Sequence, residues 1–136
     1  MGSEFTFYDY FDADHTGLNM INEWLNGGGK PVKAHFNSVI RYLEASPPAG
    51  FQDSVWCAPY TRPLQGKWKD FIEIRQKVNK VQYRLIAKRE GREILLVTWG
   101  FHKGSWETDI TPENGKQRVI QMKNNPGKYR REHDNS

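Results

Sequence analysis

The sequence predicts an α+β fold: a small antiparallel sheet packed against an N-terminal helical hairpin, with a C-terminal helix after the sheet. Two periodicities and one helix-start signal predict it. From Lys67 to Val78 the apolar residues Trp68, Ile72, Ile74 and Val78 alternate with Lys67, Lys69, Glu73, Arg75 and Lys77, the period of a half-buried strand. Earlier, Val32, Phe36, Val39, Ile40 and Leu43 recur at helical spacing. Near the end, Thr111 followed by Pro112 and Glu113 gives a capping residue with proline at the first helical position.

The elements follow in order. Phe5, Phe7 and Phe11 suggest a short aromatic first strand. Leu18, Ile21, Trp24 and Leu25, with Met20 beside them, form a first helical stripe, which Gly27 to Gly29 stop. Pro31 opens the second helix, and the paired Pro47 and Pro48 bar its continuation. The stretch from Phe51 to Pro63 reads as an edge segment or loop, with Val55 to Cys57 a candidate short strand. Two further strands follow the first of the meander: Val81, Tyr83, Leu85 and Ala87 alternate with polar residues, and Ile94 to Trp99 is apolar on both faces, as in a covered central strand. Gly104 to Asp109 reads as a loop. The C-terminal helix presents Val119, Ile120 and Met122 and ends at Asn124 and Asn125.

Charge is concentrated in the meander. Between Arg62 and Lys103 stand eleven basic residues against four acidic ones, a net of +7 on a chain whose total is +4. Alternation puts this charge on one face and the oily residues on the other. A basic sheet face is suited to a polyanion.

Composition sets the outer bounds. At 136 residues, with 13% aromatic content, the chain is long enough for one cored domain. Met1 to Glu4 read as a cloning-site remnant, residues 5–128 as a single domain and residues 129–136 as a charged, mobile tail. A single cysteine, Cys57, excludes an internal disulfide and fits a reducing cytoplasm. It reads as a packed thiol rather than a nucleophile, since no histidine can be placed beside it. No stretch approaches the length of a membrane span, so a cytoplasmic protein without a membrane partner is expected. Asp12, Asp14, Thr16 and Glu23 around Gly17 match part of a calcium loop. Asn19 at its eighth position and the missing preceding helix favour instead a helix start capped by Asp14 or Thr16, and no metal or cofactor is expected.

The order of short motifs resembles a known family. Leu64 with Gly66, Glu73 to Arg75, Tyr83 with Arg84, Phe101 to Lys103, and the Thr-Pro helix start are similar to the phage-derived, Gp49-like branch of the HigB/RelE toxins of type II toxin–antitoxin systems. The resemblance runs from about Leu64 to Met122, and the two preceding helices fit the family's order of elements. It departs at Gly104, where the family has a second lysine, and in the loop that follows.

The resemblance implies a RelE-like fold and a ribosome-dependent mRNA endoribonuclease that inhibits translation and is held inactive by a cognate helix-turn-helix antitoxin. Such an enzyme uses no metal: the ribose 2′-hydroxyl attacks the adjacent phosphorus, which requires a proton acceptor, a proton donor and cations around the phosphate. Matched to this sequence, Arg84 and Arg75 are the phosphate-stabilising candidates, His102 and Lys103 the proton-transfer candidates, and Glu73 either a base or a salt-bridge partner. Lys67, Lys69 and Lys77 are candidates for RNA backbone contacts and Trp106 for base stacking. The competing expectation, raised by Gly104, is an inactive RNA-binding or inhibitor protein of phage or mobile-element origin on the same fold.

Overall fold

The computed structural model describes residues 5–45, 61–103, 105–108 and 110–134, with the backbone alone for 101–103 and 105–108. Val55 to Cys57, Gly104 and Asp109 lie outside the described residues. The strands are β1 (Thr6–Asp12), β2 (Leu18–Asn19), β3 (Thr61–Pro63), β4 (Ile72–Val78), β5 (Val81–Glu90), β6 (Glu93–Lys103), β7 (Ser105–Thr108) and β8 (Arg130–Glu132). The helices are α1 (Met20–Gly27), α2 (Lys30–Glu44), α3 (Pro112–Asn124) and a single turn, α4 (Pro126–Tyr129).

The sheet is mixed rather than purely antiparallel. Its order is β2-β1-β6-β5-β4-β3, with β7 on β6 and β8 on β1. The expected β4-β5-β6 meander is present, but β1 joins β6 in parallel, Thr6 opposite Glu93 and Asp9 opposite Leu96. This makes β6 a central strand, which accounts for its apolar run on both faces. A bulge between Ile86 and Ala87 in the β5–β6 ladder shifts the register by one residue.

One face of the sheet meets the helical hairpin. Val32, Phe36, Val39, Ile40 and Leu43 of α2 and Ile21 and Leu25 of α1 are buried against Ile72, Ile74, Leu85, Ala87, Ile94 and Leu96. Trp24 stacks on Trp99 at 5.9 Å and meets Tyr83 edge-on at 6.0 Å. Helix α1 starts one element later than the sequence suggests: its cap is Asn19, whose side chain accepts from the Asn22 amide at 2.9 Å. Neither Asp14 nor Thr16 caps it. Thr16 instead donates its amide and hydroxyl to the Asp12 carboxylate, closing the turn between β1 and β2. Asp14 accepts from Tyr129 at 2.7 Å and pairs with Lys128 at 3.3 Å. Among the described residues no group of three or more His, Cys, Asp or Glu is placed to hold a metal ion, and no helix is long and apolar enough to cross a membrane.

The opposite face is only partly basic, which corrects the reading from alternation. Helix α3 buries Val119 and Met122 on Tyr10, Phe71, Ile86, Leu95 and Val97, making a second apolar cluster. Ile120, expected on that face, is 50% exposed. Phe71, which broke the alternation, belongs to this second core and not to β4. Trp68 lies in a 3₁₀ turn (Gly66–Trp68), edge-on to Phe71 at 5.1 Å.

Part of the charged C-terminus is built into the sheet. β8 pairs antiparallel with β1, and the His133 amide donates to the Phe7 carbonyl at 2.8 Å. The buried His133 ring sits between the Asp9 carboxylate (2.7 Å) and the Asn37 amide oxygen (2.9 Å), while Asn19 donates to the other Asp9 oxygen at 2.9 Å. This polar network ties the C-terminal strand to β1, α1 and α2 at once.

Candidate functional site

Antiparallel register builds the site. In the β3–β4–β5–β6 ladder, Arg62 lies opposite Glu73, Glu73 opposite Ile86, and Ile86 opposite Thr98. The next row on the same face holds Arg75, Arg84 and Gly100, and the row beyond it Lys77, Gln82 and His102. Residues directly across a ladder project to the same side. Three arginines from three strands therefore surround one carboxylate.

The Glu73 side chain is fully buried, and its Oε1 lies 3.0 Å from Nε of Arg62 and 3.4 Å from Nε of Arg75. Its Oε2 lies 3.4 Å from a terminal nitrogen of Arg84. These are ion pairs rather than aligned hydrogen bonds: neither carboxylate oxygen of Glu73 receives a hydrogen bond of good geometry. Exposure falls inward, from 49% at Arg62 through 28% at Arg75 to 12% at Arg84. Burial pushes the Arg84 guanidinium pKa down, Glu73 opposes this, and the charges of Arg75 and Arg62 depress it further. An arginine starts so high that it stays charged, so the cluster carries three positive charges and one negative.

Such a cluster has a definite chemical capacity. Glu73 offsets the mutual repulsion of three guanidinium groups, which outnumber it in these ion pairs. Planar guanidinium forks match the oxygens of a phosphate. Of the two roles open to Glu73 in the sequence, the geometry gives the salt-bridge hub: a carboxylate with no exposed surface, ringed by cations, is poorly placed to take a proton from a substrate.

The remaining candidates divide. Lys77 is exposed at the end of β4, in the row that includes His102. Lys103 pairs with Ser105, and His102 with Trp106, so the β6–β7 hairpin adjoins the arginine rows; their side chains lie outside the described residues. Trp106 thus stands on a strand, where the sequence suggested a loop. Lys67 and Lys69 are not on β4 with Arg75. They sit in the 3₁₀ turn and the bend that follows it, both exposed.

Compared with known proteins, the chain matches no family model, no curated protein and no solved structure. The site must speak for itself. Sequence reasoning counted Arg62 as charge but assigned it no role. Its flanking prolines, Pro59 and Pro63, obscured the short edge strand β3 that carries it opposite Glu73. The Asp9–Asn37–His133 network was also missed, because its members are 28 and 96 residues apart and only the packing of β8 joins them.

Proposed function

We propose that this protein is a toxin of the HigB/RelE type, with a RelE-like fold, acting as a metal-independent mRNA endoribonuclease at the ribosome in the cytoplasm. The observation that carries the reading is the convergence of Arg62, Arg75 and Arg84 on the buried Glu73, an arginine cluster built by strand register. Helices α1 and α2 precede the β4–β5–β6 meander and α3 follows it, an order that supports the resemblance.

In this reading Arg84 and Arg75 hold the non-bridging oxygens of the scissile phosphate and stabilise the charge of the pentacoordinate state. The 2′-oxygen forms a bond to phosphorus as its proton passes to a base. The bond from phosphorus to the 5′-oxygen breaks, and that oxygen takes a proton from an acid. The products are a 2′,3′-cyclic phosphate and a free 5′-hydroxyl. His102 and Lys103, on the adjoining rows, are the proton-transfer candidates, and the ribosome supplies orientation of the strand. A cognate antitoxin neutralises the basic face.

Induced expression in a bacterium tests the reading. Wild type is expected to arrest growth with transcript cleavage, and Arg84→Ala to relieve both. Binding of RNA without cleavage by the wild type selects the alternative, an inactive RNA-binding or inhibitor protein on the same fold; harmlessness of both with no RNA bound removes both readings.

A further inference from the structure

We infer that the cavity at the start of β4 binds one nucleotide unit, in a subsite separate from the arginine cluster. The choice of a nucleotide among anions rests on the RNA reading; the site itself rests on its lining. The cavity measures about 490 Å³ and is lined by Leu64, Lys69, Asp70, Phe71, Lys88 and Arg89, among others. Its size falls in the range of small-molecule sites.

The lining presents the three kinds of group that a nucleotide requires. Lys69 and Lys88 approach from two different elements and supply the phosphate cations. Arg89 adds to the field from the rim, since its Nε donates to the Gly91 carbonyl at 2.9 Å and its guanidinium lies over Phe5 at 5.0 Å. Lys88 shares Glu90 with Lys123, at 3.4 and 3.3 Å, so Glu90 already carries a second cation when Lys88 turns to a ligand. Pro63 and Leu64 provide an apolar wall for a base. Asp70 supplies an acceptor for ribose hydroxyls or exocyclic amino groups, a group that a bare phosphate site has no use for.

Asp70 also sits in the left-handed backbone region. The Phe71 amide donates to the Trp68 carbonyl at 3.1 Å across Lys69 (φ −52°, ψ 142°) and Asp70 (φ 77°). That is a type II turn, whose third position favours glycine. Aspartate tolerates this conformation better than most residues, and the turn brings Asp70 into the cavity lining.

The test is a titration of the full chain followed by backbone amide shifts in NMR. The probes are the four ribonucleoside 5′-monophosphates, the corresponding nucleosides, inorganic phosphate, and a 2′-O-methyl RNA hexamer that cannot be cleaved. Monophosphates are expected to shift Leu64, Lys69, Asp70, Phe71 and Lys88 and to bind about tenfold more tightly than nucleosides or phosphate alone. Lys69→Ala/Lys88→Ala is expected to remove these shifts, and Arg84→Ala to leave them. The hexamer, but not a mononucleotide, is expected to shift residues around Arg75 and Arg84 as well. Shifts confined to the arginine cluster, or equal responses to phosphate and nucleotide, overturn the inference. If RNA is never cleaved yet monophosphates shift the cavity residues, the nuclease reading fails while this site stands.

Discussion

Arg84 holds a terminal guanidinium nitrogen 3.4 Å from Oε2 of Glu73, whose side chain has no exposed surface. The pair is asymmetric. Glu73 has three cationic partners, so losing one still leaves it compensated, whereas losing Glu73 removes the carboxylate on which all three guanidinium groups converge. Glu73→Gln is therefore expected to destabilise the fold by about 3–5 kcal/mol, the cost of uncompensated buried charge. Arg84→Ala, with Arg62 and Arg75 still in place, is expected to cost about 1–2 kcal/mol. Urea unfolding of both variants checks the order, which reverses if Glu73 is merely a tolerated acid.

The turn after β1 sets an acid dependence. Asp12 is partly buried, which raises its carboxyl pKa, but the Thr16 amide, the Thr16 hydroxyl and His15 outweigh this and hold it below 3.8. A carboxyl whose folded pKa is depressed contributes stability that is present above its unfolded pKa and lost as pH falls through the folded one. Asp12→Asn is thus expected to cost about 1 kcal/mol at pH 6. The difference from wild type should shrink as pH falls below the usual carboxylate range and through the lowered pKa of Asp12. Denaturant titrations at both ends of that window measure it, and a gap that stays constant with pH refutes the assignment.

Helix α3 comes close to the 3₁₀ turn at Gly115. A Cβ built there lies 2.6 Å from Cζ3 of Trp68, on an indole already packed on Phe71. Alanine improves helix propensity over glycine by about 1 kcal/mol, whereas overpacking costs about 1–3 kcal/mol. Gly115→Ala is expected to lower the melting temperature and alter Trp68 fluorescence; a stabilised variant with unchanged emission contradicts the packing.

At the β4–β5 hairpin both central residues have positive φ, 51° at Asn79 and 69° at Lys80. A two-residue turn of this hand favours Asn-Gly. Lys80→Gly is expected to stabilise the chain by about 0.5–1 kcal/mol, read as a raised unfolding midpoint, because it relieves a left-handed lysine. A lowered midpoint contradicts this.

The strands and helices were legible in the sequence wherever one periodicity held over many residues. All five residues of the α2 stripe are buried as expected, and Thr111 caps α3 through the Asn114 amide. What parity could not show was a second apolar layer. Glu73, Arg75 and Arg84 read as one solvated basic face, but α3 covers half of that face, and the short strand β3 seals the edge of the rest. Three-residue strands such as β3 and β8 leave no periodic trace, so Arg62 and His133 gain their positions only from tertiary pairing. The candidate site was thus half visible: Glu73, Arg75 and Arg84 were named, but the part of Arg62 and the convergence of all three arginines on one carboxylate were hidden.

The central claim is that the arginine cluster cleaves RNA through the 2′-hydroxyl without a metal. Purified protein added to ribosomes programmed with mRNA, with the ends of the RNA products mapped chemically, tests it. Expected are 2′,3′-cyclic phosphate ends from the wild type, at least about a hundredfold fewer from Arg84→Ala, and none when the 2′-hydroxyl at the cut site is methylated. Absence of cleavage by the wild type, or 2′-O-methyl sites cut as readily as unmodified ones, would contradict it.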